Sequence, residues 1–193
     1  MRRLLSFAAA ALLLVLLALP ASAGNYNPNC GAPGSGPCQS TQNLHGQSQT
    51  IYDYVPCSVD PATGVGIASR IDLTSINEVF HVNVNAAQDF WTTGTVEGNF
   101  FIQPVLATLS PPDANGNRTP TPANPAAVPG AVTYSGHVAT WFGISSNLKN
   151  GVLHSTFNAT GTGSDGSTLT FHSVLHMSIS ASGMMVSFGK MSC

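Results

Sequence analysis

Charge is what this sequence has least of. Only 7% of its residues are Asp, Glu, Lys or Arg, and the formal net charge is -2. Nucleic-acid binding needs clustered Lys and Arg to neutralise phosphates. Beyond Arg2 and Arg3, the basic residues Arg70, Arg118, Lys149 and Lys190 are scattered singly, so no nucleic-acid partner is expected. The same scarcity argues against electrostatic attachment to anionic lipid. Cysteine is sparse as well. Cys30, Cys38, Cys57 and Cys193 include no C-x2-C pair of the kind that builds a zinc site. Past the first two dozen residues no apolar run is long enough to span a bilayer, and no window keeps a helical period. A G-x-S-x-G elbow and a phosphate-binding loop are both missing. The glycines of Gly161-Thr162-Gly163-Ser164-Asp165-Gly166 have nearly dinucleotide-loop spacing, but they lead into a strand pattern and read as a turn.

What is present begins with a leader. Arg2 and Arg3 precede an apolar run over 4–19, then Pro20 and the small triplet Ala21-Ser22-Ala23. A charged start, a short apolar core and an A-x-A site describe a secretory signal peptide over 1–23 rather than a membrane span. The expected mature chain, 24–193, is then secreted, extracellular, and one domain in size. Four cysteines in an exported chain imply two disulfides. The expected pairs are Cys30–Cys38, closing a short Gly/Pro loop, and Cys57–Cys193, tying the first long strand to the last residue.

Residues 24–48 are rich in Asn, Pro, Gly, Gln and Ser and read as an irregular arm held by its disulfide. From residue 49 to 193 the pattern is strand, turn, strand. Eight strands are expected, over 50–56, 65–73, 76–85, 90–103, 131–145, 152–162, 167–180 and 184–190. Alternation is plain in several. Phe80, Val82 and Val84 oppose Asn77, His81, Asn83 and Asn85. Phe90, Val96, Phe100 and Ile102 oppose Trp91, Thr93, Thr95, Glu97 and Asn99. Leu169, Phe171, Leu175, Met177 and Ile179 oppose Thr168, Thr170, His172, His176 and Ser178. Period two with one apolar face is the pattern of an antiparallel sheet covered on one side. Asn150-Gly151 and Ser164-Asp165-Gly166 supply turn signals. The link over 110–130 carries Pro111, Pro112, Pro120, Pro122, Pro125 and Pro129 and reads as a mobile loop. The expected fold class is all-β: a single antiparallel barrel or closed sandwich of about eight strands, since either arrangement protects free edges.

Two segments, Gly136-His137-Val138-Ala139-Thr140-Trp141-Phe142-Gly143 and the stretch from Gly161 to His172 (GTGSDGSTLTFH), resemble a group of small secreted bacterial β-rich proteins. Val55-Pro56-Cys57 and Val79-Phe80-His81-Val82 extend the likeness. It implies export and an all-β fold, and it transfers no site. In size and strand count the chain is also similar to calycin and dirigent or allene-oxide-cyclase-like barrels, an analogy of fold alone.

The candidate chemistry is thin. His172 and His176 lie on one strand about 13 Å apart at roughly 3.3 Å per residue, too far to share a metal. A metal site would need His81, His137 or His154 brought alongside by a neighbouring strand, and no spacing demands it, so neither metal nor cofactor is expected. Glu97 sits mid-strand on the face of Trp91, while Glu78 falls with Phe80 and Val82, so the two make a poor glycosidase pair. The remaining constellation is Trp91, Glu97, His137 and Trp141, with His81 at its margin. Turned inward, it would line a pocket for a small apolar molecule. Turned to solvent, it would make a platform for a glycan or a protein partner. The leading expectation is a secreted, non-enzymatic binding or surface-interaction protein. Its rivals are a cofactor-free enzyme using His137 or His81 with Glu97 as an acid–base pair, and a structural cell-envelope protein.

Overall fold

The computed structural model describes residues 27, 29–30, 36–59, 66–113, 117–147, 150–182 and 184–192. The expected leader, 1–23, lies outside that set, as does Cys193 and with it the bridge expected to Cys57. Among the described residues nine strands are present: β1 (Cys38–Val59), β2 (Gly66–Val84), β3 (Phe90–Pro104), β4 (Thr108–Leu109), β5 (Pro120–Thr121), β6 (Tyr134–Ser146), β7 (Gly151–Gly163), β8 (Thr168–Ile179) and β9 (Met185–Ser192). Seven form one sheet in the order β1-β2-β3-β6-β7-β8-β9, and β4 pairs with β5 in a separate ribbon. Every pairing is antiparallel. The all-β meander is therefore as expected. Among the described residues β1 and β9 remain its two edges, so neither the closed barrel nor the second sheet of a sandwich is seen.

Three boundaries differ from the sequence reading, each for a local reason. The arm does not stay irregular up to residue 48, because β1 starts at Cys38. Its first stretch is nearly all polar and shows no alternation. An edge strand still gains a full ladder of backbone hydrogen bonds from its neighbour, and Leu44, 1% exposed, supplies the apolar anchor. Cys30 is joined to Cys38 at the start of that strand, as expected.

The strands expected over 65–73 and 76–85 are one strand, β2. The alternation slips between them, and a bulge absorbs the slip. Ser75 takes φ 52, and the register against β3 jumps between Thr74 and Asn77. Gly46, at φ 67, marks the matching irregularity in β1.

Where it is described, the Pro-rich link is tied back to neighbouring segments. It folds as the β4–β5 ribbon, Val105 bridges Ala127, and the Tyr54 hydroxyl accepts from the Leu109 N–H at 3.3 Å.

One sheet face holds the core. Leu44, Leu73, Ile76, Phe80, Val96, Phe100, Val138, Phe142 and Leu169 are each less than 9% exposed and form one cluster. We call this face inner and the opposite face outer. Inner-face glycines make room for rings. Gly94 pairs with Phe80 on one side and Phe142 on the other. The two rings approach over it, with centroids 5.7 Å apart. A Cβ on Gly94 would lie 2.3 Å from the Phe142 ring and 2.9 Å from that of Phe80. Glycine within a strand often marks such close approach.

Candidate functional site

Alternation and register together decide which side chains share the outer face. On β3 the outward set is Trp91, Thr93, Thr95, Glu97, Asn99 and Phe101. The β6 register sets Ser145 beside Trp91, Gly143 beside Thr93, Trp141 beside Thr95, Ala139 beside Glu97 and His137 beside Asn99. His81 on β2 faces Thr93. All five candidate residues, Trp91, Glu97, His137, Trp141 and His81, thus lie on the outer face, and all five are exposed. Trp91 is 42% exposed and Trp141 43%. The constellation points to solvent, not into an internal pocket.

They share a face without forming one cluster. Trp141 stands four β3 positions from Trp91 and one strand over, a Cα separation of about 14 Å from standard strand spacings. The Trp141 ring lies over Gly143, where a Cβ would come within 3.0 Å of it. The ring therefore extends along β6 toward the Trp91 end. Glu97 and His137 occupy diagonal positions, whose Cβ atoms stand about 7–8 Å apart in such a pair. Among the described residues no hydrogen bond joins Glu97 to His137 or His81. The His81 ring instead meets the Thr41 hydroxyl, Nδ1 to Oγ1, at 2.9 Å.

The outer face also gathers the other histidines. His45 meets Asn77 at 3.2 Å. His172 lies opposite Asn158 and bonds to its side chain, and His154 lies opposite His176. All six histidines of the chain are on this one face. The His154–His176 pair escaped the strand-by-strand reading because alternation orders residues within a strand and says nothing of the neighbouring strand. The turn at Asp165 carried the signal. Counting equal numbers of residues back along β7 and forward along β8 from it sets His154 against His176. Among the described residues, no three of His, Cys, Asp and Glu converge as a metal centre would require.

Two strand carboxylates, Glu78 and Asp53, lie off this face. Glu78, 3% exposed, points inward beside Leu44 and Val96, as its alternation predicts. Its Oε2 has no hydrogen-bond partner, and burial pushes its carboxyl above the ordinary glutamate value. Asp53 is raised too, chiefly by burial, against the lowering effects of the Tyr54 N–H and the Arg118 guanidinium. Among the described residues, neither is hydrogen-bonded to a histidine or to a second carboxylate, as an acid–base pair would need.

No family model matches the sequence, and comparison with curated proteins and with solved structures also yields no match.

Proposed function

We propose that this is a secreted binding protein that recognises a glycan on the outer face of its sheet, with Trp91 and Trp141 as the two anchor rings. The carrying observation is that both indoles stand more than two-fifths exposed on the same face. They are separated there by Thr93, Thr95 and Gly143 rather than merged into an apolar patch. A protein interface gathers its aromatics into a contiguous desolvated centre. Separated rings amid hydroxyls, amides and imidazoles suit a ligand that offers apolar ring faces and hydroxyl edges in turn, as a sugar chain does. The scarcity of charge agrees with a neutral ligand. Export is supported by the leader pattern of residues 1–23, and the Cys30–Cys38 bridge is in keeping with an oxidising compartment.

The test is retention on a panel of neutral and acidic polysaccharides, with tryptophan emission followed on binding. Trp91→Ala and Trp141→Ala should each weaken binding tenfold or more while the far-ultraviolet circular dichroism stays that of the parent. Equal retention of the parent and both variants on every polysaccharide that binds would overturn the assignment.

A second reading rests on Glu78. A small apolar ligand carrying one hydrogen-bond donor would satisfy its unpartnered Oε2 on the inner face. Native mass spectrometry of the purified protein decides it, through a co-purifying mass that is released on denaturation and lost in Glu78→Gln.

A further inference from the structure

The outer face holds one pair of side chains whose arrangement the glycan reading does not use. β7 and β8 pair so that His154 stands directly opposite His176. Their rings approach to 4.2 Å between centroids, tilted by 56°. His176 Nδ1 lies 3.0 Å from His154 Nδ1 and 3.2 Å from His154 Nε2. The other partnered histidines bond to a hydroxyl or an amide: His81 to Thr41, His45 to Asn77, His172 to Asn158. Here the partner is a second imidazole, and His176 Nδ1 lies nearly equidistant from both nitrogens of the His154 ring, off either lone-pair axis. Among the described residues neither ring bonds to a carbonyl or a carboxylate.

We propose that His154 and His176 form a two-imidazole surface site for a divalent transition metal, with Cu(II) as its preferred ion. Imidazole nitrogens bind such metals at about 2.0–2.1 Å. Rotation of the two side chains about χ1 and χ2 can turn one nitrogen of each ring onto a shared ion at that distance, since directly opposite Cβ atoms on paired strands stand about 4.5–5.5 Å apart. Two imidazoles with the other positions open suit the nitrogen-and-oxygen tetragonal coordination of Cu(II). Affinity for nitrogen ligands peaks at copper across the divalent first-row series. The pair needs no rearrangement of the backbone, because the strand ladder already fixes both Cα atoms.

The surroundings suit an open site. Gly143 faces His154 from β6 and carries no side chain, so that flank is bordered by the Trp141 ring lying over it. Phe188 packs against His176 from the β9 side, with centroids 5.9 Å apart. With no third protein ligand among the described residues, the remaining coordination positions are left to water or to an incoming donor. The Trp141 ring over Gly143 stands close enough to report on the ion, since bound Cu(II) quenches a neighbouring indole.

The experiment is titration of the purified protein with copper(II) sulfate, followed by tryptophan emission and by electron paramagnetic resonance. The parent should take up one Cu(II) with a tetragonal spectrum showing coupling to two imidazole nitrogens, and its emission should fall. Affinity should drop tenfold or more in His154→Ala and in His176→Ala. It should not change in His172→Ala, whose ring is about 13 Å along the same strand. Equal affinity in the parent and in the double variant would mean that the rings share only a proton, and would overturn the site. So would a parent spectrum at one equivalent of copper that lacks imidazole coupling, a readout independent of how the variants fold.

Discussion

Arg118 donates from Nε to Asp53 Oδ1 at 2.9 Å, joining the Pro-rich link to β1 across 65 positions of sequence. The same guanidinium donates to the Ser110 carbonyl at 2.9 Å and lies 5.5 Å from the centre of the Tyr54 ring. Both members of the ion pair are less than one-fifth exposed, so the pair is better shielded from water than a surface salt bridge. Arg118→Ala should destabilise the fold by about 2–3 kcal/mol, because it leaves the Asp53 carboxylate partly buried and unpaired. Limited proteolysis should then cut the 110–130 segment first. The loss should also be pH-dependent. Without Arg118 the folded-state value of Asp53, already raised by burial, rises further. The protonated form then contributes stability that is present below about pH 3.9 and lost as pH rises. Chemical denaturation should show a larger penalty at pH 7 than at pH 4.

Glu78 gives a second pH prediction. Its folded-state value is raised by burial, so its contribution to stability is fully present below about pH 4.3, the unfolded value, and is lost as pH rises through the raised folded value. Glu78→Gln removes the charge and should flatten that part of the stability–pH curve. It should raise stability at pH 7 relative to the parent and leave it nearly unchanged below about pH 4. A curve of unchanged slope in the variant would show that Glu78 is solvated in solution.

Neighbouring residues on opposite faces should respond oppositely. Phe142 is 3% exposed and Trp141 is 43% exposed. Phe142→Ala should cost about 3–5 kcal/mol, as large-to-small changes in cores do. Trp141→Ala should cost about 1 kcal/mol or less. Urea denaturation of the two variants beside the parent measures both.

Gly94→Ala tests the inner packing. The added methyl meets both Phe80 and Phe142 at less than contact distance, and one ring must leave its place. The expected cost is about 1–3 kcal/mol. Combining it with Phe142→Leu, which shrinks the ring that is struck, should recover part of the loss.

Much of this was written in the sequence. Alternation in the Trp91 strand sorted Trp91 and Glu97 from Val96 and Phe100, and the structure keeps every one of those residues on the face so assigned. The same period placed Glu78 inward although it is charged. Other features were hidden for definite reasons. The first part of β1 carries no apolar alternation, because its order comes from backbone pairing with β2. The Ser75 bulge resembled a break, because an inserted residue shifts the period just as a turn would. The Arg118–Asp53 contact joins segments far apart in the chain, which no local pattern reports. The facing of His154 and His176 was present as a count from the Asp165 turn rather than as a motif.

The split between the two faces has a consequence for how such a chain can change by descent. Outward positions on β3, β6, β7 and β8 carry Thr, Asn, His and Trp at little cost to the core behind them. Point substitutions there can therefore drift toward new partners while the scaffold persists. Insertions follow the opposite rule. Unless a bulge absorbs it, as at Ser75 in β2, a single residue added inside a strand turns every side chain beyond it to the other face, burying the Thr and His rows and exposing the Phe rows. Lineages of this sheet should therefore differ freely in every second letter of a strand, and gain or lose residues mainly at turns such as that at Asp165.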